Sequence, residues 1–418
     1  MTDTTGVILP LFAGYGIELE YMIVDRDHHN VLPVTDEVLK VVAGDYVNEI
    51  EEGPIGWSNE LVLHVIELKT NGPVATLDNL PEQFLSNIYQ INTILADMNG
   101  RLMPTAMHPW MNPWKETELW PHESSEIYET YNRIFNCQGH GWSNLQSMHI
   151  NLPFSGDKEF SQLHSAIRSL LPIMPALAAS SPIVDGEYSG LMDTRLETYR
   201  RNAESIPSIT GMVIPEAVHS FNEYQEKILH PMYNDIAQYD PGKVLQFEWL
   251  NSRGAIARFD RNAIEIRVLD TQETPEADIA ITMSIIAVLK KLTQGDWSTT
   301  DKQGKASTEM LAGLFSDCVK QAGESVIENR EYLDLFGFPD RKCNASELWY
   351  YLLEATLYSN ADVKPGIRSI LDVILNKGCL ARRIKNAIGP SIRRSRLEET
   401  YRQLCDCLAS GQIFENID

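Results

Sequence analysis

Cysteine is scarce in this sequence, and cysteine pairs with metal-binding spacing are absent. The 418 residues include six cysteines, none of which forms a C-x-x-C pair. They are Cys137, Cys318, Cys343, Cys379, Cys405 and Cys407. In so long a chain this pattern is typical of reduced thiols in a cytosolic protein, and it argues against a disulfide framework.

Long apolar runs and a secretion signal are also missing. A membrane-spanning helix needs about 18–20 mostly apolar residues, and the longest candidate, Ile279–Leu289, is interrupted by Thr and Ser. The polar start, Met1–Gly6, lacks the basic and apolar regions of a signal peptide. Repeats and low-complexity segments are not found. We therefore expect a soluble, cytoplasmic protein without a membrane partner.

Positive charge is in deficit. Thirty-five Lys and Arg face 58 Asp and Glu, which leaves a net charge of −23. Proteins that bind nucleic acid carry basic surfaces, because release of counterions drives their affinity, so this role is not expected. An anionic protein that handles anionic substrates needs metal ions or locally focused Arg at its site.

The first two-thirds of the chain contains several strand-like segments. Gly16–Asp25 (GIELEYMIVD) is rich in β-branched and aromatic residues and is followed by a turn-prone stretch. Glu60–Thr70 and Leu145–Pro153 predict two further strands. Val244–Asp270 contains turn-like residues and predicts two or three antiparallel strands.

Helical patterns separate and follow these strands. Apolar residues recur at helical spacing from Leu80 to Met98, with a capping residue at Asp78 or Asn79 and Gly100 as the expected end. After Thr274-Pro275 the pattern is helical to the end of the chain. The polar segment 293–307 is expected to form an exposed loop.

Strands and helices in blocks, rather than in regular alternation, favour an α+β fold with a largely antiparallel sheet. We expect a single domain over residues 1–418, with a sheet-forming core over about 10–290 and a mainly helical part over about 291–418. The polar segment interrupts a helical region and does not divide the chain.

Carboxylates alternate with apolar residues on the predicted strands. Because side chains on a strand alternate between two faces, Glu18 and Glu20 share one face, as do Glu265 and Arg267. Glu60 and Glu67 lie seven residues apart, on opposite faces of a regular strand. They can act together only through a bulge, a bend, or a position of Glu60 in the preceding loop.

An isolated pair of this kind is commonly a solvated strand face. Glutamates are depleted in strands, however, and several pairs call for a common explanation. Oxygen ligands with one imidazole suit Mg²⁺ or Mn²⁺ better than Zn²⁺. Since a Mg²⁺ site normally takes only one or two carboxylates, five glutamates imply two or more ions spread along a polyphosphate. The pattern favours a nucleotide–metal platform.

An ordered set of short segments resembles a known family. The set comprises Gly16–Glu20, Glu60-Leu61 with Glu67 and Thr70, His108-Pro109, Met148–Ile150 and Glu265–Gln272. In order and approximate spacing these segments resemble the family 2 glutamate–cysteine ligases, also called carboxylate–amine ligases, over roughly residues 14–290. The EIRVLDTQ stretch and the ordered set together carry the resemblance.

The resemblance implies a glutamine-synthetase-like fold, in which a curved antiparallel sheet with helices on its outer face holds ATP and Mg²⁺ or Mn²⁺. It places the metal ligands at Glu18, Glu20, Glu60, Glu67, His149 and Glu265. It makes Arg267 the phosphate contact and, with Glu265, a catalytic residue. Arg195 becomes a candidate contact for a substrate carboxylate or phosphate. The family's frequent G-x-H-x-H motif is Ser147–Asn151 here, and Asn151 replaces the second His.

The activity implied is ATP-dependent joining of an amino-acid carboxylate, glutamate's γ-carboxylate in this family, to an amine through an acyl phosphate. Cysteine is the family's acceptor, and the change at Asn151 leaves the acceptor open. We expect Glu18, Glu67 and Glu265 to hold ions at the γ-phosphate, and Glu20, Glu60 and His149 to hold another. Two alternatives remain, a metal-dependent amide or γ-glutamyl hydrolase and a non-catalytic nucleotide- or metal-binding regulator. The oligomeric state is open.

Several other residues admit two interpretations each. Arg253 could reach ATP phosphate or lie at a solvent-facing hairpin tip, and Arg258 is a weaker candidate of the same kind. His108 and His64 fit structural histidines better than ligands. Four tryptophans (Trp110, Trp114, Trp120 and Trp142) could form a lid, or pack under a long loop. The basic run within 377–396 could be a solvated helix pair, an anion site or a subunit contact.

Overall fold

The computed structural model describes residues 8–51, 53–360 and 363–415. The strands are β1 (Gly16–Asp25), β2 (Glu49–Ile50), β3 (Ile55–Asn59), β4 (Val65–Thr70), β5 (Gly100–Met103), β6 (Ser147–Pro153), β7 (Ile183–Val184), β8 (Glu187–Tyr188), β9 (Ala255–Arg258), β10 (Ala263–Asp270), β11 (Val326–Ile327) and β12 (Cys343–Asn344).

The helices between residues 35 and 236 are α1 (Thr35–Ala43), α2 (Leu80–Ala96), α3 (Pro113–Glu116), α4 (Ser125–Phe135), α5 (His140–Ser143), α6 (Gly156–Leu170), α7 (Pro175–Ala178), α8 (Thr194–Arg201), α9 (Phe221–Tyr224) and α10 (His230–Ile236). Those that follow are α11 (Pro275–Gln294), α12 (Thr300–Gly304), α13 (Thr308–Gln321), α14 (Arg330–Leu333), α15 (Ala345–Glu354), α16 (Pro365–Lys377), α17 (Leu380–Ile388) and α18 (Arg394–Ser410). Short 3₁₀ or π turns cover Leu171–Ile173, Gln225–Leu229, Glu248–Leu250 and Ala322–Glu324.

The main sheet is antiparallel at every pairing that the described residues form. Its strand order is β2-β3-β4-β1-β6-β10-β9, and β5 pairs with the second half of β1. Central strand β1 runs between β4 and β6, with Glu20 opposite Glu67 and Glu18 opposite His149. The expected α+β class with a largely antiparallel sheet is therefore confirmed.

One face of this sheet is apolar and covered by helices. Ile17, Leu19 and Tyr21 of β1 point to this face and are fully buried. They share an apolar cluster with residues of α2, α6 and α11, and the Thr282 hydroxyl of α11 contacts the Met148 sulfur of β6 at 3.2 Å. Since successive strand residues alternate, the charged side chains must emerge on the opposite face.

Several predicted elements are confirmed, and some of them have changed bounds. Strand β1 has the predicted limits, and β6 falls inside the predicted third strand. The helix after Thr274 is present, and the Thr274 hydroxyl accepts a hydrogen bond from the Ala277 amide. The mainly helical C-terminal part is interrupted only by β11 and β12 within the described residues. That the whole chain forms one domain stays a prediction.

Other local predictions were wrong. Gly100 does not end α2, which stops at Ala96, and instead begins β5. Asn79 precedes α2, but its side chain makes no capping hydrogen bond.

In contrast, the prediction of two or three antiparallel strands in 244–270 is confirmed by the antiparallel pair β9 and β10. Segment 244–254 contains a 3₁₀ turn and no strand.

The polar segment 293–307 is also not a simple exposed loop. It contains α12, whose Gln303 side chain is fully buried and donates hydrogen bonds to the carbonyls of Leu292 and Ser298. Polarity predicted exposure, whereas these side-chain hydrogen bonds let the segment pack inward. None of the described helices is long and apolar enough to cross a membrane.

Candidate active site

The polar face of the main sheet brings together glutamates and one histidine from four strands, and a further glutamate from a loop. Glu18 and Glu20 come from β1, Glu67 from β4, His149 from β6 and Glu265 from β10. Register brings them together, because Glu18 is paired with His149, Glu20 with Glu67, and Glu265 with Asn151. The predicted strand alternation thus produces one shared acidic surface.

These side chains form two groups that could each hold a metal ion. Glu18, His149 and Glu265 make one group, and Glu20, Glu67 and His149 make the other. Within each group the possible ligand atoms lie within 4.8 Å of one another. His149 belongs to both groups, so it lies between them.

Hydrogen bonds connect the two groups through the His149 ring. Its Nδ1 lies 2.9 Å from Glu18 Oε2, and its Nε2 lies 2.8 Å from the Ser147 hydroxyl. Ser147 in turn donates through its amide and hydroxyl to Glu20 Oε2, at 2.7 and 3.1 Å. Asn151 donates to Glu18 Oε1 at 3.0 Å, so the residue that replaces the family's second His also contacts the site.

The ion pair between His149 and Glu18 shifts both pKa values. Burial alone would lower the pKa of His149, but the Glu18 hydrogen bond and the charges of Glu20, Glu18 and Glu265 raise it to about 9. Burial alone would raise the pKa of Glu18, but His149, Lys69 and Arg267 lower it to about 2. Without a metal, the protonated imidazole therefore balances these carboxylates together with Lys69 and Arg267.

Glu67 and Glu60 have the opposite behaviour. Burial, with the charges of Glu18 and Glu20, raises the pKa of Glu67 to about 7. Burial, followed by the charges of Glu20 and Glu67, raises the pKa of Glu60 well above its usual value. Like-charged carboxylates crowded in a buried place hold protons unless another cation is supplied.

Glu60 reaches this surface from a loop. It lies between β3 and β4, outside any strand, which is one of the three conditions that the sequence set for joint action with Glu67. The charges of Glu20 and Glu67 act on its carboxyl group, but neither of the two groups with metal-binding geometry among the described residues includes it. The geometric grouping differs from the predicted partition, because Glu67 faces Glu20 across the β1–β4 pairing and groups with it, and because His149 belongs to both groups. Which of these residues binds a metal ion stays a prediction.

Two arginines flank Glu265. Arg267 follows it on the same face, and its Nε donates to Glu265 Oε1. Arg258 of β9 places its Nη1 3.7 Å from Glu265 Oε2, while its Nε donates to Asp260 at 3.2 Å. From the sequence, Arg258 is a weaker candidate than Arg253. In the structure, however, the register of the β9–β10 hairpin places Arg258 beside the acidic groups.

Arg253 and Arg195 lie elsewhere. The Arg253 guanidinium is buried, with Nε and Nη2 donating to the two Glu216 carboxylate oxygens at 2.6 and 2.7 Å. Arg195 is buried too, and its Nη2 donates to the backbone carbonyl of Arg267 at 2.9 Å. Both guanidinium groups therefore contact protein rather than the polar face.

The sequence missed several polar neighbours of the acidic groups. Lys69 Nζ lies 3.7 Å from Glu67 Oε1, and the Ser58 hydroxyl donates to the same oxygen at 2.8 Å. Tyr128 of α4 accepts a hydrogen bond from Asn59, and its pKa is raised by burial and by Glu60. The alternation Glu67–Lys69 is a signal that could have found Lys69. The contacts of Ser58 and Tyr128 depend on pairing that the sequence does not specify.

The remaining candidates are explained by packing. His64 and His108 are fully buried, and their Nε2 atoms lie 2.7 Å from the carbonyls of Ser143 and His29. The four tryptophans have different surroundings. Trp120 is buried, Trp114 is 64% exposed, Trp110 packs on Tyr401, and Trp142 packs on Tyr131 and Phe135.

The basic run is only partly solvated. Arg383 is buried against Glu273 and donates to the Phe414 carbonyl at 2.7 Å. Arg394 lies 4.2 Å from the centre of the Trp110 ring and also pairs with Glu398. One residue of the run thus anchors α17 to the segment after β10, while Arg393 and Arg394 remain exposed.

The donor set fits hard divalent cations. It offers carboxylate oxygens from four glutamates and one shared imidazole, on a sheet with arginines beside it. Such ligands suit Mg²⁺ or Mn²⁺. Fold and site together define an α+β protein whose antiparallel sheet presents a candidate site for more than one divalent ion.

The sequence comparisons agree with this class. The model of the glutamate–cysteine ligase family 2 (GCS2) matches residues 15–313, and the chain belongs to this family. An uncharacterized protein from Archaeoglobus fulgidus is 40% identical over 276 residues, covering 66% of this chain and 73% of the relative. A putative glutamate–cysteine ligase 2 from Chromobacterium violaceum is 27% identical over 224 residues, covering 51% of this chain and 52% of the relative.

Solved structures share the fold at low sequence identity. The glutamate–cysteine ligase from Francisella tularensis, solved in complex with AMP, has a TM-score of 0.61 and 12% identity, covering 97% of this chain and 90% of that one. A bifunctional glutathione synthetase from Pasteurella multocida has a TM-score of 0.58 and 13% identity, covering 94% and 53%. Both likenesses concern the fold.

Proposed function

We propose that this protein is an ATP- and Mg²⁺-dependent ligase that joins an amino-acid carboxylate to an amine through an acyl phosphate. The observation that supports the proposal most is the geometry of the two acidic groups, which share His149. Arg267 and Arg258 lie beside Glu265 of the first group. Glutamate is the proposed donor, by its γ-carboxylate. Cysteine is the first acceptor to test.

The uphill step in this reaction is activation of the carboxylate. A donor carboxylate oxygen attacks the γ-phosphorus of ATP, and the bond to the β–γ bridging oxygen breaks, releasing ADP. The amine nitrogen then attacks the acyl carbon, phosphate leaves, and the nitrogen loses a proton. Phosphoryl transfer depends mainly on positioning and charge neutralisation, so no protein nucleophile is needed.

The two acidic groups would hold Mg²⁺ or Mn²⁺. Bound there, the ions would neutralise phosphate charge. Glu18, His149 and Glu265 form the proposed site next to Arg267. Glu20, Glu67 and His149 form the second, and Glu60 is a further proposed ligand beside it. Because the pKa of Glu67 is about 7, this second group holds a proton near neutral pH that a bound cation would displace.

Arg267 is proposed to contact the transferring phosphoryl group. Its side chain is 22% exposed on the polar face, and the hydrogen bond from its Nε to Glu265 orients the guanidinium group, which can bind phosphate oxygens through several N–H groups. Arg258 is placed to act in the same way from the other side of Glu265. Arginines in a partly buried site interact more strongly with phosphate than arginines fully exposed to water do, because the lower dielectric of the site strengthens attraction between charges.

The test is an ADP-release screen of amino-acid donors paired with amines, in the presence of Mg²⁺. ADP formation that requires both an amino acid and an amine supports the ligase. Amide cleavage without ATP would support the hydrolase instead, and tight ATP binding without product would support a regulator. Absence of any coupled ADP release across the screen contradicts the proposal.

A further inference from the structure

Arg267 lies at an irregular point of β10. The pairing of β10 with β6 shifts register between Ile266 and Leu269, so the backbone at Arg267 leaves the regular ladder. Its amide donates to the Gly254 carbonyl at 2.9 Å, and its own carbonyl accepts from Arg195 Nη2 at 2.9 Å. A side chain from α8 therefore contacts the backbone of this bulge directly.

Arg195 is built into the protein interior. Its residue exposure is 2%, and its backbone amide donates to the Ser181 hydroxyl at 3.1 Å. Its Nη1 faces Asp270 Oδ1 at 3.9 Å, and the other oxygen of Asp270 accepts from the Ser180 amide and the Ser181 hydroxyl at 2.8 Å each. The positive charge of Arg195 is thus balanced by a fixed, buried carboxylate.

The two arginines consequently have different access to a ligand. The Arg267 side chain lies on the polar face against Glu265 and is 22% exposed, whereas the Arg195 side chain is 2% exposed. Backbone held on both sides at a bulge directs the side chain that it carries. Arg195 can therefore influence the phosphate end of the site through the Arg267 backbone.

We propose that Arg195 is a positioning residue that fixes the β10 bulge and thereby aims Arg267 at the Glu265 group, without contacting substrate. This inference rests on the proposed function for its catalytic consequence. It replaces the substrate contact that the family resemblance implied for Arg195.

A double-mutant cycle separates positioning from direct contact. Arg195→Gln and Arg195→Lys are each made in the wild-type chain and in Arg267→Ala. A misplaced Arg267 should lower kcat roughly tenfold or more. In the wild-type background, the KM for ATP should change less than about threefold. In the Arg267→Ala background, where no guanidinium remains to be positioned, the same Arg195 substitutions should change kcat less than about twofold. Equal losses in both backgrounds would overturn the proposal in favour of direct contact.

A second readout needs no substrate. The Nε–Hε signal of Arg267, assigned by its loss in Arg267→Lys, reports the hydrogen bond to Glu265 in ¹⁵N NMR spectra. We expect it to shift or broaden in both Arg195 variants and to stay unchanged in Arg201→Gln, a matched control on α8 whose side chain is 63% exposed. An unchanged signal in a folded Arg195 variant refutes positioning. If wild-type protein forms no ADP, the proposed function fails and this spectrum still decides the role of Arg195.

Discussion

The two faces of the main sheet are made by neighbouring residues of the same strands, yet their energetics are opposite. On β1, Ile17 and Leu19 are fully buried among helices, whereas Glu18 and Glu20 project toward other carboxylates. The apolar face contributes stability through burial. The acidic face contains carboxylates whose burial and mutual repulsion oppose folding when they are charged, as the raised pKa values of Glu60 and Glu67 indicate.

This difference indicates where mutations should act. Substitutions on the apolar face should reduce stability, and substitutions on the polar face should reduce activity with little loss of stability. A site that costs folding free energy is maintained for binding or chemistry, and a few residues of each kind can test this division.

The largest expected effect is on turnover. Glu265→Gln keeps the shape of the side chain and an oxygen for Arg267, but removes the negative charge that a metal ion needs. ADP formation should fall by about 10³-fold, while circular dichroism and the thermal unfolding midpoint stay close to wild type. Glu187→Gln, an exposed position on β8, is the matched control. Near-normal turnover in Glu265→Gln would remove this residue from the metal set.

On the apolar face, Leu19→Ala should have its main effect on stability. Leu19 is fully buried, so the free energy of unfolding should decrease by about 3 kcal/mol. The measurement is urea unfolding followed by circular dichroism. A decrease below about 1 kcal/mol would show that the helices do not depend on this face for packing.

Glu67→Gln should stabilise the metal-free protein at alkaline pH. The pKa of Glu67 rises from 4.5 in the unfolded chain to about 7 in the folded chain. The contribution of the protonated Glu67 carboxyl to the free energy of unfolding is therefore fully present below pH 4.5 and is lost as the pH rises through 7. At pH 8 the variant should gain about 3 kcal/mol over wild type, with no gain near pH 4. A variant that is less stable at pH 8 would contradict the repulsion described here.

The smallest effect comes from a buried histidine away from the acidic face. Burial lowers the pKa of His64 from 6.5 to about 4, although the bond to the Ser143 carbonyl opposes this shift. Between these values the unfolded chain binds more protons, so stability falls as the pH falls. From pH 7 to 6 the loss should be about 0.7 kcal/mol and should be absent in His64→Gln. An identical pH dependence in both proteins would show that folding does not lower the pKa of His64.

Much of the two-faced sheet could be predicted from the sequence, because side-chain alternation is a local property. Glu18, Glu20 and Glu265 were assigned to their faces by parity alone. The grouping of Glu67 with Glu20 could not be predicted, since it depends on the register between β1 and β4. The importance of Arg258 relative to Arg253 could not be predicted for the same reason. The β9–β10 register determines which of these arginines approaches Glu265.

Solvent exposure was harder to predict than strand faces. Segment 293–307 has the composition of a loop, but the buried hydrogen bonds of Gln303 stabilise α12 there. Likewise, the buried pair of Arg383 and Glu273 lies within a run whose charge suggested solvent. Composition gives the average behaviour of such segments, whereas specific partners determine the position of each side chain.

The central claim is that two acidic groups sharing His149 each hold a divalent ion. Mn²⁺ titration in the presence of a non-hydrolysable ATP analogue, followed by electron paramagnetic resonance, measures the number and affinity of these ions. Our account predicts at least two Mn²⁺ per chain and weaker binding of both in His149→Ala. Saturation at one ion or none, or an unchanged titration in His149→Ala, would contradict it.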